Sequence, residues 1–288
     1  MRIIDTLDDM IETARGWQAQ GTVGFLSISG NLHEGHRALI QTARNLCEIC
    51  VVCIISKTGF FDGAPEDGAP ARDLTRDLHL LRASNVDVVF LPDAQELYPE
   101  ETSITYVTPM GPLLTSIAEM GTTLSVRKFA TTFIKLLQIV RPDIVFIGQK
   151  DALQIAIVRQ LIKDLNIDVR LSIHPTVRDP DGLAISNRNQ RLTPEERQSA
   201  TMLYQALNQA RRLIDAGERD GSKVIQAIKE YVANVPHFQF TGVYICHSDT
   251  FATHTTIQPG TLIMVEARVG SVQLHDTIVW KNDGTWLM

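Results

Sequence analysis

The sequence predicts an α/β fold: a Rossmann-like, doubly wound parallel sheet followed by a smaller α+β domain. Short apolar runs alternate with stretches of helical periodicity through the first two thirds of the 288-residue chain. Apolar strands that alternate with helices are typical of parallel sheets covered on both faces. Near residue 190 this pattern changes, which predicts a second domain.

The predicted elements of the first domain follow one another along the chain. Strands and helices are expected at TVGFLSI, HRALIQTARNL, CVVCII, RDLTRDLHLLRAS, VDVVFL, FATTFIKLLQIV, DIVFIG, ALQIAIVRQLIKDL and VRLSIHPTV. In such sheets ligands bind beyond the carboxyl ends of the strands. The segments that follow GFLSI, VVCIIS, DIVFIG and SIHPTV are therefore expected to face the site.

The second domain is predicted to begin with a capped helix. Thr193 and Glu196 have the spacing of a capping box, and Pro194 stands at the first helical position. The later segments FTGVYICHSD, TLIMVEARVG and VQLHDTIVW are typical of an antiparallel sheet. We therefore predict domains at residues 1–184 and 185–288.

Composition narrows the function to small-molecule chemistry. A formal charge of -6 argues against a nonspecific nucleic-acid binder, and no apolar run is long enough to cross a bilayer. Cys47, Cys50 and Cys53 are evenly spaced, as in some metal sites, but EICVVCII is a buried-strand pattern. We expect these three and Cys246 to be reduced core residues of a cytoplasmic protein that binds neither nucleic acid nor membrane.

The first candidate site is SGNLHEGHRALI, which directly follows a predicted strand. If the chain turns at Gly30-Asn31 and enters a helix near Glu34, His33 and His36 lie at a helix N-terminus, where anions bind well. Gly35 between them would let a nucleotide approach the backbone. The alternative is that both histidines are polar capping residues without a catalytic role. A metal site is disfavoured because no third ligand is specified.

Two further clusters carry polar residues after predicted strands. In FIGQKDALQ, Lys150 stands where acids are usual at a helix start, and Gln154 follows one turn later. In TVRDPDGLAISNRN, a Pro-Asp-Gly turn precedes Ser186 and Arg188, which are expected in a loop and whose side chains suit phosphate oxygens. A solvated helix start and an ordinary hinge are the respective alternatives.

The motifs HEGH, GQKD, DGLAISNRN and LTPEER, in this order, resemble the pantothenate synthetase family over nearly the whole chain. The resemblance implies a Rossmann-like ATP-binding catalytic domain, a C-terminal lid domain and a homodimer. It also implies that Mg-ATP activates a carboxylic acid as an acyl adenylate with release of pyrophosphate, and that an amine then displaces AMP. Five residues would bind the phosphates and stabilise the transition state: His33, His36, Lys150, Ser186 and Arg188.

The remaining nucleotide and substrate contacts follow from the same resemblance. Gly148 and Asp151 would contact the nucleoside, and Gly35 would allow its phosphates to approach. Gln154 would hydrogen-bond the carboxylic acid. No residue is needed as a nucleophile in either step.

The acid-binding side departs from the family pattern. Pro-Thr-Met-Gly is replaced by SISG, which puts Ser29 in place of methionine, and Asn-Pro-x-Gln is replaced within ISKTGFF by residues that include Lys57 and Phe60. The usual Arg-Pro-Gly-His segment is replaced by GTTLSVRKFA, where Arg127 or Lys128 could supply the charge.

These departures define three hypotheses. The leading one is an ATP-dependent, AMP-forming carboxylate–amine ligase that acts on an acid other than pantoate, with Ser29, Lys57 and Phe60 in the acid pocket. The second is an ordinary family member that joins pantoate to β-alanine. The third is a catalytically silent nucleotide-binding homologue. The Gly-, Pro- and acid-rich stretch at 60–72 is predicted to be a mobile loop that closes over substrate.

Overall fold

The computed structural model describes residues 1–55, 73–99, 105–119 and 123–288. Lys57, Phe60 and the stretch at 60–72 lie outside these residues. The chain divides into two compact units: an N-terminal unit of Met1–Ile147 and Ile157–His174, and a C-terminal unit of Gly148–Ala156 and Pro175–Met288. The boundary at 184/185 stays a prediction about domains, and the ten residues before it pack with the C-terminal unit.

The first 174 residues contain the alternating strands and helices that the apolar pattern predicts. Their elements are β1 (Arg2–Ile4), α1 (Leu7–Arg15), a 3-10 helix (Gly16–Ala19), β2 (Val23–Ile28), α2 (Glu34–Leu46), β3 (Ile49–Ile54), α3 (Leu74–Ala83), β4 (Val88–Phe90), α4 (Ala94–Leu97), α5 (Pro112–Glu119), α6 (Thr123–Val140), β5 (Ile144–Gly148), a 3-10 helix (Gln149–Asp151), α7 (Ala152–Asp164) and β6 (Arg170–His174).

The six strands form one sheet in the order β1-β4-β3-β2-β5-β6. The pairings of β1 with β4, β4 with β3, β3 with β2 and β2 with β5 are parallel, as predicted. The strand order reverses between β2 and β5, which is the place where open α/β sheets bind ligands. Strand β1 was not predicted, because its three residues are too short to show a periodicity.

Helices cover both faces of this sheet. Leu26 and Ile28 of β2 pack with Leu39 and Ile40 of α2 in a buried cluster on one face. On the other face, the ring of Phe25 meets Phe133 of α6 edge to face, with 6.4 Å between centroids. Adjacent β2 residues therefore face opposite layers, which explains why this strand is apolar without alternation.

The rest of the C-terminal unit is an α+β structure. Its elements are a 3-10 helix (Asn187–Arg191), α8 (Pro194–Ala200), α9 (Met202–Asp215), α10 (Gly221–Val232), β7 (Phe238–His247), β8 (Thr261–Val269), β9 (Val272–Trp280) and β10 (Trp286–Leu287). The predicted capping box is confirmed: the Thr193 side chain accepts from the N–H of Glu196, and the Glu196 carboxylate accepts from the N–H of Thr193 at 2.9 Å.

The four strands of this unit form an antiparallel sheet in the order β10-β9-β8-β7. Alternate residues of β8 and β9 enter a core with α9 and α10, among them Ile263, Val265, Leu274 and Ile278. The residues between them face the other side of the sheet. That second face carries Glu266 and His275, which lie opposite each other on β8 and β9.

The cysteines occupy core positions, as the sequence predicts. All four lie in the described part of the chain, are buried and form no disulfide. Burial raises the pKa of Cys50 and of Cys246 to about 12, so neither thiol is a nucleophile at neutral pH. Among the described residues, no helix has the length and apolar character that crossing a membrane requires.

Candidate functional site

The first candidate cluster is the histidine turn between β2 and α2, which contains His33 and His36. Gly30 has a φ of 99° and Asn31 a φ of 51°, both in the left-handed region that reverses the chain sharply. Helix α2 begins at Glu34, and His33 is its N-cap residue. The turn and the helix start are therefore where the sequence predicts them, and the two histidines lie at a helix N-terminus.

A buried carboxylate on α3 holds this turn. Asp77 has no exposed surface. Its two oxygens accept the backbone N–H groups of Asn31 and Leu32, each at 2.7 Å. The side-chain oxygen of Asn31 accepts in turn from the backbone of Asp73, at 3.4 Å. The turn is thus tied to a helix that lies more than 40 residues further along the chain.

The two imidazoles form a stacked pair. Their centroids are 3.9 Å apart, with 21° between ring planes. Nδ1 of His36 accepts the backbone N–H of His33 at 3.3 Å, so the proton of the neutral ring lies on Nε2. Burial, together with the charge of His33, lowers the pKa of His36 to about 3. At neutral pH, His36 is therefore an uncharged hydrogen-bond donor.

The His33 ring explains why residue 35 is a glycine, and this explanation differs from the predicted one. A Cβ at this position would lie 3.0 Å from Cε1 of the His33 ring, closer than side chains normally pack. The absence of a side chain thus makes room for an imidazole, and the approach of a nucleotide stays a prediction. Ser29, the last residue before the turn, is exposed.

A second candidate cluster lies in the C-terminal unit, at residues 148–156. Gly148 ends β5, and among the described residues other than its two chain neighbours no heavy atom lies within 4 Å of the position its Cβ would take. Lys150 and Asp151 follow in a short 3-10 helix. Burial lowers the pKa of Lys150, the charges of Asp276 and Asp151 oppose that effect, and Arg188 adds to it. Lys150 and Arg188 are thus close enough to interact.

Strand β9 positions the backbone around Lys150. The hydroxyl of Thr277 donates to the carbonyl of Gln149 at 3.2 Å. His275, two residues before Thr277 and on the same face of the sheet, hydrogen-bonds the backbone of Lys150. Burial, and then the charge of Lys150, lowers the pKa of His275 to about 3. Two β9 side chains therefore bind the backbone of Gln149 and of Lys150, the predicted phosphate-binding lysine.

The predicted Pro-Asp-Gly turn is confirmed as the tip of a short hairpin. Arg178 and Ala184 pair across it as an isolated antiparallel bridge, and Gly182 at the tip has a φ of 89°. Arg178 anchors the hairpin to β9 by a two-pronged ion pair with Asp276, at 2.6 and 3.1 Å. The Asp276 side chain is only 2% exposed, so the pair is shielded from water.

Two side chains from neighbouring helices hold the same hairpin. The ring of Tyr204 on α9 lies 4.0 Å beneath the Arg178 guanidinium. Arg197 on α8 binds both carboxylates of the turn, Asp179 at 2.7 Å and Asp181 at 2.9 Å. Hydrogen bonding to Asp179 accordingly raises the pKa of Arg197. The segment that leads to Ser186 is therefore rigidly supported.

Ser186 lies in a loop, as predicted, whereas Arg188 lies in a 3-10 helix, which corrects the loop predicted for it. Ser186 is the N-cap of the 3-10 helix Asn187–Arg191, and its Oγ accepts the backbone N–H of Arg188 at 3.3 Å. The cause is local, since a serine hydroxyl readily satisfies an N–H of a first helical turn. The hydroxyl hydrogen stays available for donation to a ligand oxygen.

The remaining candidate residues in the described part of the chain are Gln154, Arg127 and Lys128. Gln154 lies partly buried on α7, one turn after Lys150. The Arg127 guanidinium stacks on the ring of Tyr106 at 4.3 Å, whereas Lys128 is exposed. That Arg127 or Lys128 supplies the charge of the replaced segment stays a prediction.

Each of the two clusters carries groups of a chemistry that suits an anion. The histidine turn presents a helix N-terminus and a neutral imidazole donor. The C-terminal unit presents a lysine, an arginine and a capped serine, which suit the oxygens of a polyphosphate.

The residues that support the two clusters were not predicted, although each left a signal in the sequence. Asp77 stands on the apolar stripe of RDLTRDLHLLRAS, and Asp276 stands at an inward position of VQLHDTIVW. A carboxylate at a core-facing position indicates a buried partner.

Comparison with known proteins gives one consistent result. The family model described as pantoate-beta-alanine ligase matches residues 2–279. A pantothenate synthetase from Chloroflexus aggregans is 39% identical over 280 residues, which is 96% of this chain and 98% of that protein. Another, from Heliobacterium modesticaldum, is 38% identical over 281 residues, or 97% of this chain and 99% of that protein.

A solved structure agrees with these relatives. The crystal structure of a pantothenate synthetase from Thermus thermophilus superposes with a TM-score of 0.85 at 33% identity, and the match covers 96% of this chain and 98% of that one. The fold class predicted from the sequence is thereby confirmed.

Proposed function

Because the chain belongs to the pantoate–β-alanine ligase family, an ATP-dependent and AMP-forming family, we propose that it joins pantoate to β-alanine. The observation that carries this proposal is the family match over residues 2–279. The two clusters predicted to bind phosphate are consistent with it. The predicted roles of His33, His36, Lys150, Ser186 and Arg188 enter the proposal unchanged.

In the first step, a pantoate carboxylate oxygen attacks the α-phosphorus of ATP. A P–O bond to the α-phosphorus forms, the bond to the β-phosphate oxygen breaks, and pyrophosphate leaves. The extra negative charge of the transition state lies on the phosphate oxygens. His36 would donate Nε2–H to one of them, and Lys150 and Arg188 would neutralise charge on the others. The His36 ring is oriented before ATP arrives by the hydrogen bond from the backbone of His33. The backbones of Lys150 and Arg188 are held by His275 and by Ser186. Groups oriented in advance favour the transition state over a solvated ground state.

In the second step, the amine of β-alanine attacks the acyl carbon. A C–N bond forms, the acyl–phosphate C–O bond breaks, and AMP leaves while the amine loses a proton. Gly148 and Asp151 would hold the nucleoside through this step, and Gln154 would hold the acid. Orientation of the two reactants accounts for much of the expected acceleration.

Mg²⁺ enters the proposal with ATP, as part of the substrate. Within the described ranges, no group of three or more His, Cys, Asp or Glu side chains could hold a metal ion. The cation would therefore be bound chiefly through phosphate oxygens, whose charge it reduces.

The identity of the acid separates this proposal from the leading hypothesis drawn from the sequence. Ser29, Lys57 and Phe60 led us to expect an acid other than pantoate. That expectation has no support in the comparisons, since the relatives named above are all pantothenate synthetases. They favour the second hypothesis, and we adopt it.

Release of AMP and pyrophosphate from ATP by the purified protein tests the proposal. We expect steady-state release that requires both pantoate and β-alanine and exceeds release with other short hydroxy, keto and dicarboxylic acids. Pantoate alone should support at most one pyrophosphate per active site. Release that occurs with another acid but not with pantoate would favour the hypothesis of a ligase that acts on a different acid. Nucleotide binding without AMP formation under every combination would favour the silent homologue.

The proposal also includes a cytoplasmic homodimer, which the sequence led us to expect. Size-exclusion chromatography with light scattering measures the molar mass of the protein in solution. A mass equal to that of one 32.1 kDa chain would contradict a dimer.

A further inference from the structure

We propose that Asp77 is a positioning residue: its buried carboxylate binds two consecutive N–H groups of the preceding turn and so fixes where His33 and His36 lie. The role in catalysis rests on the proposed function, whereas the role in positioning can be tested without it.

The burial of Asp77 indicates a specific role for the carboxylate. A carboxylate removed from water is strongly destabilising unless its oxygens are hydrogen-bonded. Both oxygens of Asp77 bind the same turn, Oδ2 to the N–H of Asn31 and Oδ1 to that of Leu32, each at 2.7 Å. Such charge-assisted bonds are short and strong. The turn therefore compensates the carboxylate, and the carboxylate fixes the turn.

The turn needs an external hold. Asn31 has a φ of 51°, a left-handed conformation that residues with a side chain rarely adopt. The preceding Gly30 also has a positive φ. Conformations of this kind persist where the surrounding structure over-determines them. Here the two bonds to Asp77, and the bond from the Asp73 backbone to the Asn31 side chain, supply that constraint.

The constraint reaches the imidazoles through one intervening residue. Leu32, which is 1% exposed, follows the turn and directly precedes His33. The backbone N–H of His33 binds Nδ1 of His36, and this bond selects the Nε2–H tautomer. A shift of the turn would therefore move both rings and release the tautomer. A displacement of about 1 Å can lower a rate by about 100-fold.

The test compares D77N with D73A. In D77N, one oxygen is replaced by an NH₂ group that faces a backbone N–H, so one bond to the turn becomes a repulsion. In D73A, α3 loses its N-cap, since the Asp73 side chain accepts the N–H of Arg76 at 2.9 Å, but the bonds to the turn remain. The two variants thus separate support of the turn from stability of α3.

Two quantities are measured on each folded variant. The first is AMP release with pantoate and β-alanine: we expect kcat of D77N to fall by about 100-fold with little change in KM for pantoate, and D73A to retain its rate. The second is the ring ¹⁵N spectrum. We expect the Nε2–H tautomer of His36 in the wild type and in D73A, and a mixture of tautomers in D77N.

A folded D77N with the wild-type rate and the wild-type tautomer would overturn the inference. If D77N fails to fold, amide exchange of the wild type decides: we expect slow exchange at Asn31 and Leu32, and exchange as fast as in an open turn would contradict the inference. If the wild type releases no AMP with pantoate, the proposed function fails, and the tautomer still tests the positioning role of Asp77.

Discussion

At the scale of single residues, the protonation of His36 decides what the histidine turn can do. A pKa of about 3 keeps this ring uncharged under physiological conditions. It can then donate one hydrogen bond from Nε2 without adding a positive charge beside His33. The neutralisation of phosphate charge by Lys150 and Arg188 would be a separate task, and it stays a prediction.

We predict that replacing both His33 and His36 by Ala lowers AMP release by at least about 100-fold. The fold should be retained, since the change removes one backbone-to-ring hydrogen bond, worth about 1 kcal/mol. A steady-state AMP assay and circular dichroism measure the two effects. R37A is the matched control on the same helix. Both side chains of the Arg37–Glu34 ion pair are exposed to solvent, so we expect its loss to change neither the rate nor the fold. A double variant with the wild-type rate would remove the histidines from the mechanism.

At the scale of elements, the hairpin before Ser186 is held from three directions. Arg178 binds β9, Arg197 on α8 binds both turn carboxylates, and Tyr204 on α9 packs beneath the hairpin. The tip depends on Gly182, where a Cβ would lie 2.5 Å from the ring of Tyr204. The glycine is thus needed both for its positive φ and for the space beside it.

A pair of glycine variants separates these two needs. G217A changes the glycine that follows α9, whose φ is 101°. Among the described residues other than its chain neighbours, no heavy atom lies within 4 Å of the added Cβ. We therefore expect only a backbone cost, about 1 kcal/mol. G182A adds the clash with Tyr204, and we expect a further cost of about 1–3 kcal/mol. Urea unfolding measures both.

G182A should also lower AMP release, because the displaced ring supports Arg178 and through it the hairpin that leads to Ser186. Equal free energies of unfolding for the two variants would show that the ring is displaced at no cost.

At the scale of the whole molecule, buried neutral histidines couple stability to pH. His36 and His275 each have a pKa lowered from 6.5 to about 3. Between these values the unfolded chain binds more protons than the folded one, so the free energy of unfolding rises with pH. The contribution is complete above pH 6.5 and is lost as the pH falls toward about 3.

We predict that H275N flattens this dependence. Asn carries no charge at any pH, so the slope between about pH 4 and 6 should decrease by up to about 1.4 kcal/mol per pH unit. Urea unfolding at several pH values measures the slope. H79N, at an exposed position of α3, controls for the loss of any histidine. An unchanged slope in H275N would mean that His275 binds a proton equally well in both states.

The sequence by itself determined the alternation of the main strands and helices of the first domain and the position of the two histidines at a helix N-terminus. Apolar periodicity reports which residues are buried, so the alternation of TVGFLSI with HRALIQTARNL was enough to predict β2 and α2. Local chemistry likewise determined the turn at Gly30-Asn31 and the capping box at Thr193, since each involves only neighbouring residues.

Only the tertiary structure decided which residues hold these local features in place. Asp77 meets Asn31 across 46 residues of sequence, and Asp276 meets Arg178 across 98. A carboxylate on an apolar stripe signals a buried partner but not its identity, because periodicity describes one element and a hydrogen bond joins two. The sequence therefore predicted where the histidines and Lys150 lie, and the packing of α3 and β9 determined how they are held.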